Sequence, residues 1–164
     1  MNLQKYLLLL ILSVSLFCKA QISDKIQINK SDIQSYKENE FDKIKSKTDY
    51  FTREVGSPEL PIYRVSYVLP VDVQVTGVTF ATQTKQKHEQ NFNIIPVQQP
   101  VTTDNSNVPA FTQPNKKVYQ STSPYPNKIY EIESDRFLQG YHIVTLLIYP
   151  FEYIPKSKML NYYS

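Results

Sequence analysis

Few residues of this sequence have the type and spacing that catalysis or metal binding requires. The two histidines stand far apart, His88 in a charged run and His142 at the start of an apolar run. The sequence contains no HExxH, EF-hand or GxSxG motif, and its 3 glycines cannot build a glycine-rich phosphate loop. We therefore interpret His88 as a solvated loop residue and His142 as a hydrogen-bonded residue at a strand end. No catalytic residue, metal site or cofactor site is predicted.

Two groups of charged residues could contact a ligand or a partner. Glu131, Glu133 and Asp135 are spaced by two, so in a regular strand they would share one face. That face could bind a cation or a basic partner, although a solvated acidic face is the simpler interpretation. The basic pair Lys116 and Lys117 lies in a proline-rich stretch. This pair is either a solubilising loop tip or a recognition element.

The first 20 residues have the three parts of a secretion signal. Lys5 supplies a positive charge, an apolar run follows over residues 7–17, and Ala20 is a small residue before Gln21. We predict cleavage between Ala20 and Gln21, followed by export through the periplasm to the cell surface or the medium. The apolar run is short for a membrane-spanning helix, so no stable membrane insertion is expected after cleavage.

Two alternatives stay open for this segment. Cys18 could be a lipoprotein cysteine, although the bulky Phe17 precedes it where such signals have a small residue, and the apolar run could be an uncleaved anchor. Cys18 is also the only cysteine of the chain. Its removal would leave no disulfide, no cysteine zinc ligand and no cysteine nucleophile.

The composition favours a folded, strand-rich domain and excludes several function classes. Hydrophobic residues make up 41% and charged residues 20% of the chain, which is unlike a disordered polyelectrolyte. The 13 Tyr, 8 Phe and 11 Pro indicate strands and rigid turns. The formal net charge of +3 is too small to predict nucleic-acid binding. A single domain at residues 21–164 is long enough to bury its own core.

Alternating apolar residues predict a series of short strands. Residues 63–69 alternate and end at Pro70, and alternating valines extend the pattern over 71–80 with a bulge at Gly77. The apolar run at 141–149 is too short for a typical helix and predicts a central strand buried on both faces. The other segments are interpreted as short strands at 22–30, 92–97 and 130–133, a mixed segment at 31–50 and a long proline-rich loop at about 81–128.

These elements predict an all-β fold, an antiparallel β-sandwich formed by a single domain. The printed sequence stops as Met159 and Leu160 begin a further strand pattern. A sandwich that lacks its last strand or strands, from a truncated reading frame, is therefore an alternative. The core is expected to come from inward-facing residues of both sheets. They are Val65, Tyr67, Leu69, Val73, Val75, Val144, Leu146 and Ile148.

A set of turn and strand motifs recurs here in an order that is typical of one family. The motifs lie at residues 56–61, 67–70, 125–126, 138–144, 148–150, 153–155 and 160–163. They include a G-x-P-x-L-P turn, a strand ending in Pro70 and a P-x-x-Y-x-P exit from the apolar strand. Over roughly residues 50–164 they resemble the N-terminal propeptide of gingipain-type cysteine peptidases, which bacteria of the Bacteroidetes group secrete. Gln139 departs from the pattern, since family members often have Arg there.

The resemblance implies a secreted, non-catalytic module that assists the folding of a cysteine peptidase and blocks its active site until it is cleaved off. The partner would be the catalytic domain of that peptidase, in cis or from an adjacent reading frame, because the family's Cys/His dyad has no counterpart here. Gingipain-type enzymes select Arg or Lys at the cleaved position, so a basic residue of an extended loop at 109–126 would act as bait. Lys117 is the first candidate, Lys116 the second and Lys128 the third.

Two other functions stay open at this point. One is a cell-surface binding or adhesion sandwich, for instance for glycans, since some of the 13 tyrosines could stack on sugar rings. The other is a truncated, non-functional remnant. A missing strand would leave an open sheet edge and make such a remnant poorly soluble.

Overall fold

A computed structural model describes residues 21–81, 84–101 and 109–164 of the chain. The predicted secretion signal at residues 1–20 lies outside these ranges. Within the described ranges, no helix has the length and apolar character needed to cross a membrane.

The described residues form nine strands, one short α-helix and two 3-10 turns. All pairs of these strands are antiparallel, which confirms the predicted all-β, antiparallel fold class. The strands are β1 Gln34–Glu38, β2 Phe41–Lys45, β3 Tyr50–Phe51, β4 Pro61–Leu69, β5 Lys85–Asn91, β6 Tyr130–Leu138, β7 Tyr141–Ile148, β8 Phe151–Ile154 and β9 Met159–Tyr163. The helix α1 spans Lys116–Tyr119, and the 3-10 turns span Lys30–Asp32 and Pro155–Ser157.

The strands are arranged in three sheets. β1 and β2 form a hairpin, a second sheet has the order β3-β4-β7-β6, and a third has the order β5-β9-β8. β7 is the predicted central strand, since β4 and β6 flank it, and its residues 144–147 are all buried. β9 lies between β5 and β8. Since β9 is paired on both sides, the open edge that was considered for the end of the sequence is not found at this strand.

Two backbone features shape the hairpin of β6 and β7. Its turn residues Gln139 and Gly140 have φ values of +49° and +82°, the pair of left-handed conformations that a two-residue hairpin turn requires. The pairing register also shifts between Ile132 and Ser134, which marks a bulge in β6. The bulge changes which side chains share a face of the sheet.

The main hydrophobic core lies between the three-stranded sheet, the first hairpin and the segment 92–95. This location differs from the predicted one, which centred on β4 and β7. The buried members are Ile28, Ile44, Leu60, Phe92, Ile94, Phe151, Tyr153, Leu160 and Tyr162. A smaller buried cluster on the four-stranded sheet consists of Ile62, Leu147 and Tyr149.

The predicted core residues are only partly buried. Val144 and Leu146 on the central strand are buried as expected. The other six are only half-buried; they are Val65, Tyr67, Leu69, Val73, Val75 and Ile148.

The strand predicted at 71–80 is wrong, and so is the bulge at Gly77. No residue of 71–81 pairs with a neighbouring strand, although Val73, Val75 and Val78 are half-buried. The valine alternation therefore records an extended segment with one side facing the protein. A strand also needs a hydrogen-bonded neighbour, and side-chain alternation carries no information on that neighbour.

Two further predictions within the loop at 81–128 are wrong: a strand is present where a loop was predicted, at Lys85–Asn91, and no strand is present where one was predicted, at 92–97. β5 is a polar strand at the edge of its sheet. Both of its faces are largely exposed, so its sequence lacks the alternation of apolar and polar residues by which strands are recognised. The apolar segment 92–97 is buried but contributes only isolated bridges, between Ile94 and Asp42 and between Pro96 and Pro58. Residues 22–30 likewise contain no strand, although Ile28 is fully buried. The mixed segment 31–50 contains β1, β2 and the first residue of β3.

The buried phenol of Tyr153 provides the first test of this fold. Its hydroxyl donates to the Phe92 carbonyl at 2.7 Å in a fully buried setting. We expect Tyr153→Phe to lower the free energy of unfolding by about 1–3 kcal/mol, because the carbonyl is left buried without a donor. Urea denaturation measures this change. The control Tyr141→Phe, at an exposed position, is expected to cost less than about 0.5 kcal/mol, and equal effects of the two variants would contradict the assigned core.

Candidate functional site

The candidate basic pair lies on the helical turn α1. Asn115 precedes this turn, and its side-chain oxygen accepts a hydrogen bond from the Lys117 backbone N–H at 3.0 Å. Such an N-cap satisfies a donor that the helix leaves free. Lys116 and Lys117 are both exposed. The two lysines therefore project from a helical turn, and the extended backbone expected around them is not present at Lys116–Tyr119.

The turn is attached to the body of the protein on both sides. The Asn115 N–H donates to the Gly56 carbonyl at 2.9 Å, and the Tyr119 hydroxyl donates to the Ile94 carbonyl at 2.8 Å. Gly56 has a φ of +83°, a conformation that favours glycine. The G-x-P-x-L-P motif thus has a role that sequence reasoning missed, since its first residue holds the lysine turn.

The chain after the turn is fixed as well. The backbone of Tyr125 exchanges two hydrogen bonds with that of Tyr153, at 2.8 and 2.7 Å. The Ser121 carbonyl accepts from the Lys156 N–H at 3.1 Å. Residues 115–125 are therefore held to the rest of the domain by hydrogen bonds at both ends, and the two exposed lysines have a fixed position on its surface.

Burial changes the ionisation of the tyrosines that hold this segment. Desolvation raises the pKa of Tyr125 to about 12 and that of Tyr153 to about 12. Desolvation also raises the pKa of Tyr119, well above its ordinary value of 10. The Tyr119 and Tyr153 hydroxyls must stay protonated to donate their hydrogen bonds to the carbonyls of Ile94 and Phe92.

Lys128, the third candidate, is engaged within the protein. Its ammonium group forms an ion pair with Glu131 and lies 4.8 Å from the ring centroid of Tyr149. The hydrogen bond that Lys128 donates to Glu131 raises the pKa of Lys128. Lys128 is thus less available to a partner than the exposed pair on α1.

The three acidic residues do not share one face. Because of the bulge in β6, Glu131 pairs with Leu147 while Asp135 pairs with Val144, on the opposite side of the sheet. Glu133 binds two arginines and Asp135 binds His142. The predicted common acidic face is therefore wrong. No group of three or more potential metal ligands occurs in the described part of the chain.

Both histidines make packing contacts with aromatic rings, and His142 also has a carboxylate as its hydrogen-bond partner. The Nε2 atom of His142 lies 2.6 Å from the Asp135 carboxylate, and Phe137 stacks on the imidazole at 4.5 Å. The predicted hydrogen-bonded histidine at a strand end is confirmed. His88 is corrected from a solvated loop residue to a half-buried residue of β5 that packs 4.9 Å from Phe92, and burial lowers its pKa.

Comparisons with known proteins identify the family and agree with the all-β fold. The family model Propeptide_C25 matches residues 22–164. A solved structure on the zymogenic latency of gingipain K from Porphyromonas gingivalis is similar at 22% identity and a TM-score of 0.64, covering 80% of this chain and 75% of that chain. The complex of the pro- and mature domains of RgpB from the same organism is similar at 15% identity and a TM-score of 0.58, covering 80% and 68%. No curated protein sequence matches significantly.

The attachment of the lysine turn can be tested through Tyr119. Tyr119→Phe removes the donor to Ile94, so we expect α1 to open more often and trypsin to cleave after Lys116 and Lys117 about 5-fold faster, as local opening costs less free energy. Mass spectrometry of the early fragments measures the rate. Tyr141→Phe, at an exposed position, is the matched control, and equal cleavage rates in all three proteins would contradict the anchoring role.

The raised tyrosine pKa values predict unfolding in alkali. In the unfolded chain these phenols ionise near 10, whereas in the folded protein Tyr125 and Tyr153 ionise near 12. Their contribution to stability is fully present below pH 10 and is lost as the pH rises from about 10 to about 12, since the unfolded state then releases protons first. We expect the phenolate absorbance to rise together with the loss of circular dichroism. Ionisation of all tyrosines at pH 10 with the fold intact would contradict the burial.

Proposed function

The chain belongs to the Propeptide_C25 family, and we propose that it acts as a secreted, non-catalytic propeptide module that assists the folding of a gingipain-type cysteine peptidase and inhibits it. The observation that carries this proposal is the family match over residues 22–164. The likeness of the fold to two gingipain structures supports it, since one concerns latency of the zymogen and the other a complex of pro- and mature domains.

The proposed partner is the catalytic domain of such a peptidase, in cis or encoded in an adjacent frame. The described residues offer a folded body with its own core and a pinned, exposed pair of lysines. A protein surface that is already ordered loses little conformational entropy when it binds. We propose that this module folds independently and then serves as a template for the folding of its partner.

Lys117 is proposed as the residue that enters the specificity pocket of the peptidase, with Lys116 as the second choice. Both side chains are exposed, whereas Lys128 is occupied by Glu131 and Tyr149. A lysine ammonium that meets an acidic pocket forms a desolvated, hydrogen-bonded charge pair. Because α1 is a helical turn, its backbone is not in the extended conformation that a peptidase substrate adopts at the cleaved bond. We infer that the lysine binds in the pocket without being presented for cleavage.

The glycan-binding alternative has less support from the structure. Among the described residues, three tyrosines are exposed, and two of them already contact a cation: the Lys45 ammonium lies 5.1 Å from the ring centroid of Tyr36, and the Arg64 guanidinium lies 5.9 Å from that of Tyr50. Tyr141 alone is left, and a single exposed ring is a small surface for stacking on sugars. The large tyrosines of the core, such as Tyr153 and Tyr162, are buried.

Inhibition of a mature peptidase tests the proposed function. We expect the purified protein to inhibit mature gingipain K or mature RgpB, and the double variant Lys116→Ala/Lys117→Ala to raise the inhibition constant at least about 30-fold, because the desolvated charge pair contributes about 2–5 kcal/mol. Steady-state assays with a peptide substrate measure the constant.

The matched control removes two lysines elsewhere. Lys25→Ala/Lys87→Ala has the same change in charge at exposed positions, and we expect its inhibition constant to stay within about 2-fold of the parent. Unchanged inhibition by the Lys116/Lys117 variant would exclude these lysines from the mechanism. A parent protein that inhibits neither peptidase would contradict the inhibitory function itself.

A further inference from the structure

One face of the four-stranded sheet is open to solvent along β4. Arg64 pairs with Leu147 there, and Val68 pairs with Ile143 four residues further along β4. Arg64, Ser66 and Val68 are exposed on this face, whereas the β4 residues that alternate with them are half-buried. Thr145 and Leu147 of β7 lie on the same face and are buried beneath these side chains. We call this surface the arginine face. Its exposed strand residues are Arg64, Ser66, Val68, Arg136, Leu138 and Tyr141.

The arginine face differs from the rest of the chain in its basic residues. The chain has only three arginines, and all of them belong to this face: Arg64 on β4, Arg136 on β6, and Arg53, which reaches the face through Glu133. Residues 50–69 and 130–148, which build the sheet, contain no lysine, although lysines are the large majority of the 18 basic residues. Arginine is enriched and lysine depleted at protein interfaces, because the planar guanidinium binds carboxylates in pairs.

The charges on this face leave a positive excess. Glu133 is shared by Arg53 at 3.2 Å and Arg64 at 2.6 Å. Glu131 is neutralised by Lys128, and Arg136 is exposed. One carboxylate thus serves two guanidinium groups, and a third guanidinium faces solvent. A complementary partner surface would present carboxylates.

The far end of the face is apolar. Val68 and Tyr141 are each 61% exposed, and Leu138 is 51% exposed. These side chains are neighbours through the pairing of Leu138 with Tyr141 and of Val68 with Ile143. Exposed aliphatic and aromatic groups beside arginines are typical of a protein interface.

The other end of the face is linked to the lysine turn by a short stretch of chain. Arg53 lies three residues before Gly56 in the chain, and the Gly56 carbonyl accepts the hydrogen bond from Asn115 that holds α1. We propose that the arginine face docks on the peptidase catalytic domain, through carboxylates and an apolar element of that domain, while the lysine turn contacts its specificity pocket. This proposal rests on the proposed function and names a second contact surface for the same partner.

The test measures binding to mature gingipain K and mature RgpB, each with its catalytic cysteine replaced by alanine so that the module is not degraded. The variant Val68→Thr/Arg136→Glu changes two exposed residues and breaks none of the ion pairs described above. We expect it to raise the dissociation constant at least about 30-fold, with a slower and less salt-dependent association. The matched control Val101→Thr/Lys87→Glu makes the same types of change at exposed positions elsewhere and is expected to stay within about 2-fold.

The outcomes separate the two proposals. If the parent binds and inhibits, and the Val68/Arg136 variant with an unchanged melting temperature binds equally well, the docking proposal is overturned and the proposed function stands. If the parent binds without inhibiting, the inhibitory function fails, and the loss of affinity in the variant still supports docking. A parent that binds neither peptidase overturns both. Self-association of the parent that the variant abolishes would assign the face to a second copy and overturn the docking proposal.

Discussion

The fold depends on the position of one buried side chain, that of Tyr153 on β8. Its hydroxyl donates to the Phe92 carbonyl, its backbone exchanges two hydrogen bonds with Tyr125, and it pairs with Leu160 of β9. Two stretches that are distant in sequence, around Phe92 and Tyr125, therefore meet at one residue. Buried polar groups are costly when unpaired, so alternative positions of Tyr153 would be less stable. The segment before Tyr125 is held in place through its backbone hydrogen bonds to Tyr153.

The same constraint connects the core to the candidate contact surface. Residues 115–125 contain little apolar material of their own, yet they are held through Asn115, Tyr119 and Tyr125 to backbone groups of the body. The exposed lysines of α1 are thus positioned by hydrogen bonds rather than by local helix propensity, which is weak for a single turn. An ordered loop on a rigid body is the arrangement that a binding element needs.

Several elements could be predicted from sequence and others could not, for reasons that differ. The apolar run at 141–149 predicts a central strand, and β7 has that position, because burial on two faces requires such a run. β5 escaped prediction because an edge strand with polar residues on both faces has no apolar signal. The segment 71–80 has the alternation of a strand without a pairing partner. The bulge in β6 separates Asp135 from Glu131, and a register shift of this kind depends on the neighbouring strand.

The amino-acid sequence by itself determined the all-β class, the central strand, the absence of catalytic motifs and the motif order that indicates the family. These properties follow from local periodicity and from residue identity, which are present in the chain before it folds. Only the tertiary structure decided where the main core lies, that Gly56 and Tyr119 hold the lysine turn, and that Arg64 and Arg136 share one sheet face, which Arg53 reaches through Glu133. These are contacts between residues far apart in sequence, and the choice of partners depends on packing and hydrogen bonding across the whole domain, so no local pattern records them.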